Sequence, residues 1–227
     1  MISVGLSRCI AEKLTGKKYK GFYITEKCKM KKWKITAMLI VVCIVLMAGG
    51  YLFLRIHNGI KIKPTSEHVI SKEVISYRQD DAEWAPDHLG DSPYTMKSSG
   101  CLVTCIASAI SSSGDKVTPG ELNHVFAENG IYDTDGNIQW SYIADMEGYS
   151  VEVYDGVSEA DIAQCLSDGH YPIVRVRMHG IGNYHFVLIV GAEDGDYVCM
   201  DPLEDDLTKL SDYFGYVYAV RCVWKED

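Results

Sequence analysis

Hydrophobic and polar positions divide this chain sharply near residue 55. Before that point one stretch, Ile35 to Leu54, runs for 20 residues without a charge. At about 1.5 Å rise per residue it can cross a hydrocarbon layer roughly 30 Å thick, and soluble core helices seldom go so far without polar relief. It predicts a transmembrane helix over 35–54. Residues 55–75 are mixed and broken by Pro64, which predicts a stalk, and residues 76–227 carry the patterning of a folded domain. A domain of about 150 residues buries roughly 70% of its unfolded surface around one core.

The first half of that domain predicts helices. Cys101–Ser112 has apolar residues at 102, 103, 106, 109 and 110, with Ser98 or Ser99 placed to cap its start. Thr118-Pro119-Gly120-Glu121 has the capping-box spacing with proline at the first helical position, opening a helix to about Glu128. Ser141–Glu147 and Ser158–Ser167 read as shorter helices. The second half predicts sheet. Pro172–Met178 alternates apolar and basic residues, as a strand with one wet face should. Tyr184–Val190 is apolar on both faces apart from His185, Tyr197–Met200 follows a turn rich in Asp and Gly, and Tyr216–Trp224 closes the series. Helices followed by an antiparallel meander make an α+β plan.

Charge orients the span. Residues 1–34, a basic tail, hold ten Lys/Arg against two Asp/Glu, a balance of +8, while residues 55–227 hold 12 basic and 29 acidic side chains, a balance of −17. The positive-inside rule then keeps the N-terminus cytoplasmic and exports the acidic domain of a single-pass membrane protein. Nothing points to nucleic-acid binding, and the acidic surface favours basic or neutral peptides through long-range attraction. Met30-Lys31-Lys32-Trp33-Lys34 also reads as the start of a signal sequence, with Met30 as an alternative initiator and Ala48-Gly49-Gly50 as a cleavage point that would release the domain. Tyr51-Leu52-Phe53-Leu54 continues the apolar run and favours an uncleaved anchor. Cys43 follows Val41-Val42 rather than a small residue, which argues against a lipoprotein.

Five of the eight cysteines lie beyond the span: Cys101, Cys105, Cys165, Cys199 and Cys222. An odd number in an oxidising compartment fits one functional free thiol with up to two pairs among the others. There is no C-x-x-C pair, and His124, His170 and His179 are scattered, so neither a metal nor a cofactor is expected. His179, with Gly180 and Gly182 close by, predicts a loop beside the site.

Four polar residues in chain order carry the candidate chemistry. Cys101 begins a predicted helix, and helix starts favour thiolate over thiol. Cys105, one turn later on the same face, lacks that position. His185 opens an apolar strand, where an imidazole needs a partner and can serve as a base. Asp201 can orient that base if both face the same way. A two-residue Asp194-Gly195 turn would set Asp201 opposite Leu188 and facing away, so a five-residue loop, Gly191 to Gly195, is predicted instead, pairing Val190 with Asp196 and His185 with Asp201. Gln79, 22 residues before Cys101, can aim its amide N–H at an oxyanion beside the Cys101 backbone N–H. Trp84 reads as core or cleft wall.

Gln79, Trp84, Gly90, the G-C-x-x-T-x-x-A stretch from Gly100 to Ala107, Val117-Thr118-Pro119-x-Glu121-Leu122, Gly169-x-x-Pro172, His185-Phe186-Val187 and Asp201-Pro202 together resemble the C39-like branch of papain-like peptidases, relatives of the double-glycine leader peptidases. The resemblance covers about residues 74–224. It implies a papain-like fold in which Cys101 is the nucleophile, His185 the base, Asp201 its orienter and Gln79 the oxyanion donor. Leu102-Val103 stands where this group often has Gly-Pro. The expected activity is hydrolysis of a peptide or protein substrate through a thioester, outside the membrane. The same Cys-His-Asp set would serve an acyltransferase or amidase, and a catalytically silent module that binds peptides or cell wall is the reading from another class.

Overall fold

The charge-free run lies inside a single long helix, α1 (Phe22–Ile56), because its leucine, methionine, isoleucine and valine residues sustain helix through the Gly49-Gly50 pair and no proline interrupts it. The computed structural model describes residues 22–69 and 74–226, with side chains from residue 32 onward in the first segment. Positions 1–21 of the basic tail, 70–73 of the stalk and residue 227 lie outside the described residues. Lys32–Ile56 is long and apolar enough to cross a membrane, with a mean hydropathy of 2.6. This helix, through Leu54, forms one unit, and residues 55–227 form a second.

Within the second unit the segment read as a stalk is partly incorporated. Strand β1 (Ile60–Lys61) pairs with β7 (Tyr216–Val217), Ile62 is buried, and His68 bridges to Ala192. The helices that follow are α2 (Met96–Ser99), α3 (Cys101–Ser113), α4 (Pro119–Glu128), α5 (Trp140–Ala144) and α6 (Glu159–Ser167). The Thr118–Glu121 capping box opens α4 with Pro119 behind it, and Ser158 caps α6. Sequence spacing gave α3 one apolar face, but the helix is buried almost all round, from Val103 to Ser112. Two of its buried hydroxyls are paired: Ser111 Oγ donates to Val117 O at 2.9 Å, and Ser112 Oγ accepts from Ile75 N–H at 2.9 Å. The Thr104 and Ser108 hydroxyls of the same helix are buried with no partner among the described residues.

The sheet has six antiparallel strands in the order β2-β8-β3-β4-β5-β6. They are β2 (Tyr149–Val153), β3 (Pro172–Arg177), β4 (Tyr184–Glu193), β5 (Asp196–Met200), β6 (Thr208–Lys209) and β8 (Ala219–Lys225). The expected plan of helices followed by a meander needs two corrections. Strand β2 falls in the helical half, and β8 inserts between β2 and β3, so only β3 to β6 form a meander. The expected single strand Tyr216–Trp224 breaks at Tyr218, freeing β7 to pair with β1. The overall class is α+β.

The hairpin between β4 and β5 also differs from expectation. Its turn is the two-residue Asp194-Gly195, with Asp194 at φ 54° and Gly195 at φ 74°, the left-handed pair that such tight turns require. Glu193 opposes Asp196, but the register shifts between Ile189 and Gly191, where Val190 forms a bulge. Beyond it Leu188 opposes Met200, so the next pairing step sets Asp201 across from Val187, on the face that His185 shares. A bulge therefore does what the longer loop was invoked to do.

Cys165 of α6 and Cys222 of β8 form a disulfide across a sequence separation of 57. Closing a loop of that length stabilises the fold by about 4 kcal/mol on chain-entropy grounds. Cys101, Cys105 and Cys199 remain free in this unit.

Candidate active site

The thiol is delivered by two short helical turns run together. Thr95 and Ser98 form a reciprocal capping box that starts α2, in place of the Ser98 or Ser99 cap expected for α3. Gly100 joins α2 to α3, and a Cβ there would lie 2.5 Å from Met96 O and 2.8 Å from Met96 Cα. That neighbour is backbone and cannot yield, so the residue before the thiol has to be glycine. Cys101 is then the first residue of α3 and half-buried, whereas Cys105 is fully buried with its Sγ 3.4 Å from Phe186 O. Burial, then the nearby charges of Cys101, Asp201 and Cys199, push the Cys105 thiol well up and keep it protonated. Cys199 is buried likewise.

His185 and Asp201 meet as a buried pair, Nε2 to Oδ1 at 2.7 Å, both under 5% exposed. Diagonal neighbours across a sheet are within reach for side chains of this length. With Nε2 taken, Nδ1 is the ring nitrogen left for Cys101, the other group that acts on the imidazole's charge. Burial works against a charged imidazole here, but the hydrogen bonds and charges of Asp201 and Cys101 together outweigh it and raise the His185 pKa to about 9. Burial likewise opposes the Asp201 carboxylate. Hydrogen bonds from His185, Tyr213 and the Leu203 N–H, with the imidazolium charge, still hold it below the usual range.

Tyr213, which no sequence signal singled out, donates its phenol to Asp201 Oδ2. It lies 12 residues downstream in the 3₁₀ turn Leu210–Tyr213, and burial together with that hydrogen bond pushes its pKa up. Asp201 is thereby held from both oxygens, because Leu203 N–H also donates to Oδ1 at 2.8 Å. Asp201-Pro202, a common strand-ending turn, is here also the seat of a hydrogen-bonded carboxylate.

Gln79 is buried and bridges the two halves of the site. Its backbone N–H donates to Pro202 O at 3.0 Å, and its Nε2 donates to Lys97 O at 2.8 Å, four residues before Cys101. An amide nitrogen carries two hydrogens, so one remains after the Lys97 bond. Trp84 is buried in the core with its Nε1 donating to Arg78 O at 2.8 Å, the first of the two places expected for it, and it does not line the cleft at Cys101. His179 is exposed in a turn at φ 49°, and His170 stacks on Trp224 at 4.5 Å. Among the described residues no group of three or more His, Cys, Asp or Glu side chains could hold a metal ion.

Cys101 opens onto a cleft of about 620 Å³ walled by Tyr94, Leu102, Ile138, Trp140 and Phe186, with Arg175 and Arg221 in its lining. A depression of similar size, about 630 Å³, is lined by Val125, Tyr142, Met146 and Tyr149 and has no nucleophile in its lining. No protein-family model matches the chain, and no curated protein does either. Its chemistry therefore has to be read from the site.

Proposed function

We propose that the chain is a membrane-anchored cysteine peptidase of the papain-like, C39-like kind, cutting peptide bonds through a thioester. The observation that carries this reading is a thiol at the start of a helix, partnered with an imidazole that a buried carboxylate holds at 2.7 Å, beside a cleft wide enough for a peptide. In the first step His185 Nδ1 takes the Cys101 proton and sulfur attacks the scissile carbonyl. The Cys101 N–H and the second Gln79 Nε2 hydrogen steady the oxyanion. The imidazolium then gives its proton to the departing amine, leaving the acyl group on sulfur. Water, deprotonated by His185, attacks the thioester, releasing the acid and returning the thiol.

Placement of the domain outside the cell rests on the charge asymmetry about α1 and on the Cys165–Cys222 bridge, which suits an oxidising compartment. The test uses the full chain in detergent micelles with a peptide vinyl sulfone and site mapping by mass spectrometry. Labelling at Cys101, with Cys105 and Cys199 untouched, is the expected result; no adduct at Cys101 sinks the proposal. Peptide turnover with and without an added amine separates hydrolysis from acyl transfer.

Tyr213 acts in this scheme as a positioning residue. Tyr213→Phe is expected to lower turnover by about tenfold, the scale of one lost buried hydrogen bond to a charged group. Because that bond helps hold the carboxylate low, its loss moves the acidic limb of the pH–rate profile to higher pH. An unchanged limb in a variant that folds normally would remove Tyr213 from the scheme.

A further inference from the structure

Strand β3 alternates apolar residues with Arg175 and Arg177, the pattern of a strand with a wet face. That face is not simply solvated. Arg175 pairs across from Phe186 on one side and Ala219 on the other, and Arg221 lies two residues beyond Ala219 on the same face. All four residues line the cleft that holds Cys101.

The two arginines differ from the third. Arg177 has a structural occupation, with its guanidinium 4.0 Å over the Tyr184 ring, 5.4 Å from the Tyr218 ring, and Nη1 donating to Gly182 O at 2.9 Å. Arg175 is held only by a ring contact, 4.5 Å over Tyr184. Arg221 leans on Trp140 at 5.5 Å and spends Nη1 on the Val220 and Tyr154 carbonyls. The Nε atoms of all three arginines are buried without a hydrogen-bond partner among the described residues, so the difference lies in the rest of each guanidinium. Neither guanidinium is in an ion pair there, although residues 55–227 carry 29 acidic side chains. Asp135, the one carboxylate in the cleft lining, pairs with neither. The two cations also feel one another: burial first, then the charge of Arg175, lowers the Arg221 pKa.

Two arginines on one cleft wall, with no counter-ion among the described residues and aromatic side chains around them, match one ligand chemistry, a carboxylate taken by planar, charge-assisted hydrogen bonds. We infer that Arg175 and Arg221 form a carboxylate-binding subsite of the thiol cleft, so that the substrate is a peptide carrying a carboxylate near the bond to be cut, from an acidic side chain or a free C-terminus. This inference rests on the peptidase reading and reverses, inside the cleft, the preference for basic or neutral peptides that the net charge predicts. The acidic exterior repels such a peptide at long range, and the subsite selects it at contact.

The test has a reactive arm and a binding arm, both on the full chain in detergent micelles. Vinyl sulfone peptides are made as matched pairs with Glu or Gln at each of the three positions nearest the electrophile. At one position the Glu member labels Cys101 about tenfold faster, and Arg175→Gln or Arg221→Gln brings the pair to near equality while Arg221→Lys restores part of the difference. Fluorescent peptides without the electrophile are then titrated onto Cys101→Ser protein, Glu against Gln and free against amidated C-terminus. Tighter binding of the Glu peptide assigns the site to a side chain, and tighter binding of the free terminus assigns it to a terminal carboxylate. Normal labelling of Cys101 with equal rates and equal affinities for every pair overturns the subsite and leaves the peptidase standing. Absent labelling with carboxylate-dependent binding does the reverse. Thermal melts of each variant guard against misfolding, and the Lys variant keeps the volume and charge.

Discussion

Cys101→Ala is expected to abolish peptide turnover, by on the order of 10³-fold or more, with little loss of stability. A covalent route cannot proceed without its nucleophile, and residual binding and oxyanion contacts give only the uncatalysed attack of water a modest lift. The residue is half-buried at the first position of α3, where alanine is a good helix former, so the fold has little reason to respond. Cys105→Ala is the informative control. Cys105 is fully buried and its thiol is held protonated, so its loss costs about 1 kcal/mol of packing and leaves turnover near the parent value. Steady-state hydrolysis alongside thermal melts checks both. If the Cys101→Ala chain retains turnover, or the Cys105→Ala chain alone loses it, the thiol has been misassigned.

The second large effect belongs to Asp201→Asn. His185 is raised to about 9 against burial, by Asp201 and Cys101 together. An amide in place of the carboxylate removes one of the two raising partners and leaves Cys101 alone against burial, so the imidazole gives up its proton at lower pH. Turnover is expected to fall by roughly 10²- to 10⁴-fold, the range of misplaced acid–base catalysis, and the alkaline limb of the pH–rate profile moves down from about 9 towards the ordinary histidine range. Stability carries the same signature. A histidine raised on folding stabilises fully below its unfolded value near 6.5 and loses that contribution as pH climbs through about 9, on the order of 3 kcal/mol in all. Denaturant melts of the parent at pH 6 and pH 10 should differ on that scale and those of Asp201→Asn by much less. Equal pH dependence in the two proteins would dissolve the buried ion pair as an account of His185.

Local features were readable in the chain and non-local ones were not. The Thr118 box, the Ser158 cap, the α3 core and strands β3 and β4 announce themselves within a dozen residues, because capping and side-chain period are short-range physics. The long charge-free helix is readable for the same reason. The sequence alone also required His185 and Asp201 to share a face. It reached that end through the wrong device, since nothing in Ile189-Val190-Gly191 marks a bulge while Asp194-Gly195 is a strong tight-turn signal that deserved its plain reading. Tyr213, the Cys165–Cys222 bridge and the meeting of Arg175 with Arg221 depend on strand order. That order placed β8 between β2 and β3, and no local pattern encodes such an insertion.

The Val190 bulge decides which changes along one hairpin the buried pair can survive. Extra residues accepted at the Asp194-Gly195 tip would leave every pairing below untouched, so natural or engineered insertions there cost the pair nothing. A regular ladder that kept Val190 in register would slide the lower half of β4 by one step, set Asp201 across from Leu188 and turn His185 and Asp201 to opposite sides of the sheet. The site is thus a matter of odd and even numbers in a three-residue window: a strand that lacked Val190 altogether would keep the two side chains together, and one that straightened around it would part them.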